Sequence, residues 1–205
     1  MFTGIVEATG LVKDLKKEGT NFIFWMEAPF VNELFVNQSV SHNGVCLTVT
    51  EIKNNSYSVT AVEETLKKTN LGDQKPGSLI NLERCMSVNS RFDGHIVQGH
   101  VDQVGICEEV KELEGSWLYD FSYDPTVGNF LVEKGSITIN GVSLTVFNVK
   151  PGRFRVTIIP HTIEVTNFKY LKAGDRVNLE FDVIGKYIQR LFEMGYDDYL
   201  KKRIQ

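Results

Sequence analysis

The chain is written twice, and nothing else in it constrains the fold as strongly. Residues 39–83 laid over residues 136–180, at an offset of 97 without gaps, give 18 identical pairs in 45 positions. Average residue usage gives about 3 by chance. Ser39-Val40-Ser41-His42-Asn43-Gly44-Val45-Cys46-Leu47-Thr48-Val49 lies over Ser136-Ile137-Thr138-Ile139-Asn140-Gly141-Val142-Ser143-Leu144-Thr145-Val146. Val59-Thr60 meets Val156-Thr157, Thr65 meets Thr162, Thr69-Asn70 meets Thr166-Asn167, and Asn81-Leu82-Glu83 meets Asn178-Leu179-Glu180. Upstream, Gly4-Ile5-Val6 resembles Gly99-His100-Val101 at an offset of 95, so a two-residue indel lies between that first strand and Ser39. A duplication of this period means two like units. The 205 residues then divide into units of ordinary domain size.

Each unit reads as mostly strand. Ser39–Ile52 and Ser136–Val149 are rich in Val, Ile, Leu and Thr and are interrupted by Asn-Gly. That dipeptide between apolar runs is the strongest short hairpin signal, because both residues tolerate positive φ. Tyr57–Val62, Ser78–Leu82, Arg153–Ile159 and Arg176–Phe181 follow as short strands bounded by Gly, Pro and Asn. Such spacing predicts a small barrel, which removes sheet edges by closing on itself. Helical turns are predicted near Val31–Phe35, Glu64–Lys68, Val127–Val132 and Ile163–Thr166. The last twenty or so residues change period: Tyr187, Ile188, Leu191, Phe192, Tyr196 and Tyr199 recur at three- and four-residue steps. They form an apolar helical stripe with no counterpart after the first unit. It has two destinations, its own barrel or other subunits. The division is therefore residues 1–97, residues 98–186 and a helix over 187–205.

Composition removes several function classes. A net charge of -4 with scattered basic residues offers no footprint for nucleic acid or an anionic membrane. Met1-Phe2-Thr3-Gly4-Ile5-Val6-Glu7 lacks the basic and apolar regions of a signal peptide. No apolar run approaches 18 residues, so no spanning helix is expected. Cys46, Cys85 and Cys107 are odd in number and widely spaced, without a CxxC or HExxH pattern. Neither disulfides nor a metal is expected, and a reducing cytoplasm fits.

The positions where the two units differ are the informative ones. Cys46 stands against Ser143 and Ile5 against His100. Two similar pockets with different reactive groups suit a reaction in which two alike molecules play unlike roles. Cys46 is equally readable as a small core thiol. His100 lies in Gly94-His95-Ile96-Val97-Gln98-Gly99-His100-Val101-Asp102, where glycines permit close backbone approach to a ligand. A neutral imidazole there suits general-base work near pH 7. His95 and His100, five apart, point to opposite faces if the segment is a strand, which argues against a shared metal. Thr48, Thr60, Thr65, Thr145, Thr157 and Thr162 fit plain β-propensity as well as hydrogen bonding to a polyol or a pyrimidine-dione edge. Spacing leaves both open.

The opening Met-Phe-Thr-Gly-Ile-Val-Glu, the run Asn-Gly-Val-Cys-Leu-Thr-Val-Thr at 43–50 and Gly-His-Ile-Val-Gln-Gly-His-Val-Asp at 94–102 together resemble the riboflavin synthase family. The likeness extends to Asn-Leu-Gly at 70–72 and Asn-Gly-Val-Ser-Leu-Thr at 140–145, and covers essentially the whole chain. It implies a mainly β protein of two tandem, pseudo-equivalent, six-stranded Greek-key β-barrels, each binding lumazine, with short helices and a C-terminal helix. It implies a homotrimer joined by those helices and no cofactor, and leaves association with lumazine synthase open. The implied reaction turns two 6,7-dimethyl-8-ribityllumazine molecules into riboflavin and 5-amino-6-ribitylamino-uracil by moving a four-carbon unit.

By the same resemblance Ser39, Cys46, His100 and Thr145 match catalytic positions. Gly4, Ile5, Val6, Cys46, Leu47, Thr48, Thr60, Ala61, Val62, Glu63, Glu64 and Thr65 match pocket positions. So do Gly99, His100, Val101, Lys134, Ser143, Leu144, Thr145, Ile158, Ile159, Pro160, His161, Thr162 and Ile163. The reaction needs a base for the acidic C7 methyl of one lumazine, met by His100 or a hydroxyl such as Thr145. It needs a nucleophile or water at C7 of the other, near Ser39 and Cys46. One departure is Asp93-Gly94-His95 where the family often has Gly-Gly-His, a change at the junction of the two units. A non-catalytic lumazine- or flavin-binding antenna of the same fold is the nearest rival. A flavin-dependent reductase would want an Arg-x-Tyr-Ser motif, and Arg91-Phe92-Asp93-Gly94 is not one.

Overall fold

A computed structural model describes residues 1–193 and Gly195. In the first unit β1 (Ala8–Glu18), β2 (Asn21–Glu27), β3 (Ser39–His42), β4 (Val45–Lys53), β5 (Ser56–Ala61) and β6 (Leu79–Arg84) close in the order β1-β2-β5-β4-β3-β6. In the second, β7 (Gln103–Leu113), β8 (Ser116–Ser122), β9 (Ser136–Ile139), β10 (Val142–Lys150), β11 (Arg153–Ile158) and β12 (Arg176–Phe181) close in the equivalent order. Two six-stranded antiparallel barrels result, and closure leaves neither with a free edge. The first two strands of each barrel, unmarked in the sequence reading, keep the 95-residue offset. The two extra residues fall between β8 and β9, where a 3-10 turn forms at Pro125–Val127, somewhat before the turn predicted at Val127–Val132. Helices α1 (Glu63–Lys68) and α2 (Pro160–Val165) cap the ends of β5 and β11.

Alternation along the strands decides what faces in. On β4, Val45, Leu47 and Val49 are buried, whereas Cys46, Thr48 and Thr50 face outward. The second barrel centres on Tyr119, Phe121, Phe154 and Phe168, whose rings pack at 5.3–6.5 Å. Each barrel keeps its own apolar cluster.

The barrels meet through asparagine around a pseudo-twofold axis. Asn70 Nδ2 donates to Asn140 Oδ1 (3.0 Å), and Asn167 Nδ2 to Asn43 Oδ1 (3.0 Å). The backbone N–H of Asn70 donates to Asn178 Oδ1 and that of Asn167 to Asn81 Oδ1. Asn81 and Asn178 each donate from Nδ2 to the other barrel's hairpin carbonyl, at Asn140 and Asn43. Those hairpins turn on Asn43-Gly44 (φ 48° and 80°) and Asn140-Gly141 (φ 45° and 82°), as a type I′ turn demands. They touch so closely that a Cβ on Gly44 would lie 2.9 Å from the Gly141 nitrogen. Left-handed backbone costs a non-glycine residue about 1–2 kcal/mol before any clash. Gly44→Ala should therefore lower Tm by roughly 4–8 °C for a destabilisation of about 2 kcal/mol in a chain of this size; calorimetry checks this.

Three expectations change. Gly4-Ile5-Val6 is not part of a strand but runs outside its own barrel ahead of β1. Residues 95–100 are likewise no strand, so the argument that His95 and His100 face opposite ways across a sheet lapses; His95 is buried and His100 exposed. The C-terminal helix, α3 (Val183–Glu193), starts four residues before the expected 187. Tyr196 and Tyr199 of the expected stripe lie outside the described residues.

Candidate active site

Strand polarity builds the site on the outer walls of the barrels. Cys46 and Thr48 of β4, with Ser39 paired opposite Thr48 on β3, face outward from the first barrel. Ser143 and Thr145 of β10 occupy the matching wall of the second, Thr145 paired with Ser136.

Each wall is then covered by a segment from the other barrel. The Gly4 carbonyl accepts the N–H of Ser143 (2.7 Å), and the Gly99 carbonyl accepts the N–H of Cys46 (2.9 Å). Val6 is buried in the second barrel's cluster, and Val101 packs on the first's. The leading segments are exchanged. The backbone just ahead of Ile5 therefore lies against Ser143 and that just ahead of His100 against Cys46, while the exposed Ile5 side chain lies beside Gln38, Glu83 and Arg84 of its own barrel. Glycine is required at both crossings: a Cβ on Gly4 would sit 2.6 Å from Ser143 Cβ, and one on Gly99 2.5 Å from Cys46 Cβ, both at φ near +80°. Gly99→Ala should push the His100 segment off the first wall and cut turnover at least tenfold, read by steady-state assay beside a Tm.

Two buried carboxylates hold these segments. Glu83 accepts from Thr3 N–H (2.7 Å), Thr3 Oγ1 (3.0 Å) and Gly4 N–H (3.0 Å). Its repeat partner Glu180 accepts from the N–H groups of Gln98 (2.7 Å), Gly99 (2.9 Å) and His100 (2.9 Å). Burial pushes the Glu83 carboxyl up to about 7 against the pull of its donors, and pushes Glu180 up as well.

The second wall opens into a cavity of about 450 Å³ lined by Lys134, Ser143, Leu144, Thr145, Phe147, Thr157, Ile159 and Thr162. Lys134 sits at φ 66°, its ammonium 5.2 Å from the centre of the Phe147 ring. A left-handed lysine at a cavity is strain held in place by its surroundings. The repeat puts Asn37 and Thr50 at the corresponding positions of the first barrel, so the walls differ in charge as well as in Cys46 against Ser143.

Sequence reasoning missed His95. Its Nδ1 lies 2.7 Å from Ser143 Oγ, and its Nε2 lies 3.2 Å from Thr138 Oγ1. Burial pulls this imidazole down, favouring the neutral ring. The Gly-His pair at 94–95 was a visible signal, but only the exchanged Thr3–Gly4 segment brings Gly94 and His95 onto Ser143. Glu83 and Glu180 were visible too, as the repeated Asn-Leu-Glu.

The other predicted pocket residues divide by orientation. Leu47, Ala61, Ile158 and Ile163 are buried in the barrel cores and offer a pocket only their backbone. Val62 and Ile159 are exposed, Thr60 and Thr65 half-buried, and Glu63, Glu64, Pro160 and His161 exposed at the starts of α1 and α2. Ser39 and Cys46 stand on the first wall, where the Cys46 N–H holds the Gly99 carbonyl just ahead of His100; Thr145 stands on the second. Among the described residues no group of three or more His, Cys, Asp or Glu could hold a metal ion, and no helix is long and apolar enough to cross a membrane.

The lumazine binding domain model matches residues 3–85 and again 98–182. The chain belongs to the lumazine-binding-domain family. Within it, the chain is 44% identical over 191 residues to riboflavin synthase of Actinobacillus pleuropneumoniae, covering 93% of this chain and 89% of that one. It is 39% identical over 205 residues to riboflavin synthase of Bacillus subtilis (strain 168), covering 100% and 95%. The fold is shared with the lumazine-binding barrels of LumP: its complex with riboflavin superposes with a TM-score of 0.81, and that with 6,7-dimethyl-8-(1'-D-ribityl) lumazine with 0.80. Both are 21% identical and cover 88% of this chain and nearly all of LumP.

Proposed function

We propose that this chain is a riboflavin synthase, disproportionating two 6,7-dimethyl-8-ribityllumazine molecules into riboflavin and 5-amino-6-ribitylamino-uracil. One observation carries the reading: two walls of one design are each completed by the other barrel yet carry unlike groups. The first offers Ser39, Cys46 and His100; the second offers Lys134, Ser143 and Thr145. Like pockets recognise like molecules, and unlike groups let one molecule lose a C7-methyl proton while the other is attacked at C7. The dismutation balances atom for atom, so no external oxidant or reductant is needed. Holding two heterocycles together removes an entropic barrier worth up to roughly 7–11 kcal/mol in well-oriented systems.

The same reading includes a homotrimer, in which the first barrel of one subunit faces the second of a neighbour. The exposed apolar side of α3 supports it. A reducing, cytoplasmic setting accords with three free cysteines. Association with a lumazine synthase shell, left open by the sequence, is testable by co-sedimentation. The test of the activity is direct: purified protein given lumazine alone should form one riboflavin per two lumazines consumed. Tight binding without turnover would make it an antenna instead.

A further inference from the structure

We propose that Glu180 is a positioning residue for His100, setting the imidazole on the Cys46 wall from the opposite barrel; this rests on the riboflavin synthase reading. Residues 98–100 belong to no strand, so their N–H groups find no ladder partner. Buried backbone donors are seldom left unpaired. Glu180, on β12 and 2% exposed, takes all three. The Gly99 carbonyl, on the other side of the same peptide, is held by the Cys46 N–H. The peptide joining Gly99 to His100 is thus pinned from both barrels at once. The imidazole is exposed, and the backbone that carries it lies against Cys46. Asp102 adds a stop just downstream, accepting from Phe181 N–H (2.8 Å) and pairing with Lys186 (2.7 Å).

The repeat supplies an internal control. Glu83 clamps Thr3 and Gly4 in the same way, but the residue that follows is Ile5, whose side chain transfers no proton. Similar clamps with unlike passengers, of which only that of Glu180 reaches the third N–H, separate positioning from general structural support. A carboxylate presents only acceptors, whereas the carboxamide of Glu180→Gln turns an NH₂ toward at least one of the three donors. The loss therefore falls on the geometry of residues 98–100 at unchanged side-chain volume.

The experiment is a double-mutant cycle on the full chain, with Glu180→Gln, His100→Gln, Glu83→Gln and the two doubles containing His100→Gln. Lumazine turnover and backbone amide exchange are measured on each. Glu180→Gln should lower kcat at least tenfold with KM changed less than threefold, and speed exchange at 98–100 at least tenfold. In the His100→Gln background it should change kcat less than twofold, because the residue it positions is gone. Glu83→Gln should remain multiplicative with His100→Gln. Multiplicative losses for Glu180→Gln, or amides at 98–100 as protected as before, overturn the proposal. Should Glu180→Gln not fold, Glu180→Asp, which keeps the charge but is one methylene short, runs the same cycle. Wild-type protein that makes no riboflavin would sink the functional reading, while the exchange measurement still decides whether Glu180 holds the segment.

Discussion

Cut after Val97, the first barrel should assemble as a twofold dimer that binds a flavin in two equal pockets and makes no riboflavin. The pseudo-twofold belt joins Asn43, Asn70 and Asn81 to Asn140, Asn167 and Asn178, which are the same three residues read again. A second copy of residues 1–97 can therefore supply each donor and acceptor that the second barrel supplies. It can also supply the covering segment, because Gly4 crosses onto Ser143 as Gly99 crosses onto Cys46. In such a dimer both walls carry Cys46 under a partner's Gly4-Ile5-Val6, and His100, Lys134 and Thr145 are all absent. Binding survives because the walls survive; chemistry stops because the asymmetry is gone. Sedimentation and flavin titration on one sample decide it. A monomer that binds as well as the intact chain would show the exchanged segment to be dispensable, and turnover by the fragment would dissolve the two-barrel site.

The exchange also marks where sequence reasoning stops. The duplication and the Asn-Gly hairpins are local patterns, with a period or a turn dipeptide to betray them. The Asn-Leu-Glu triplets were aligned at the outset, yet nothing in their spacing says that Asn81 reaches Asn167 and Glu83 reaches Thr3. Those contacts span about eighty residues and depend on which barrel each leading segment crosses. Gly4-Ile5-Val6 reads as a β-prone apolar triplet, and tertiary contact with Ser143 overrides that propensity. His95 was legible as an imidazole between glycines, but its partner hydroxyl lies 48 residues on, in the other unit's hairpin. The Val-, Leu- and Thr-rich composition did predict β4 and β10 as strands. It could not tell that the outside, rather than the barrel interior filled by Phe24, Met26 and Tyr57, would be the working surface.

Removing α3 beyond Lys186 should give a folded, ligand-binding monomer that has lost at least twentyfold in turnover. The helix is fastened to its own chain at its start: Gly185 rests on Phe130, and Lys186 pairs with Asp102 at 2.7 Å. A cut after Lys186 leaves that seam in place. Beyond it the apolar side chains are exposed to differing degrees. Tyr187 is 71% exposed and Phe192 67%, with Ile188 and Leu191 nearly half exposed. Side chains of this size gain roughly 1.5–3 kcal/mol each when fully buried from exposure, and about half that from a half-exposed start. Four per subunit, shared around an assembly, outweigh the several kcal/mol lost in association at micromolar protein. Within one chain the unlike walls lie on either side of the pseudo-twofold axis, so the reading of facing pockets draws the second lumazine from a neighbour. Activity should then track assembly, rising steeply with protein concentration for weakened variants such as Leu191→Ala. Sedimentation and turnover on the same sample test the link, and a truncated monomer with full activity would refute both the intersubunit site and the helix's part in building it.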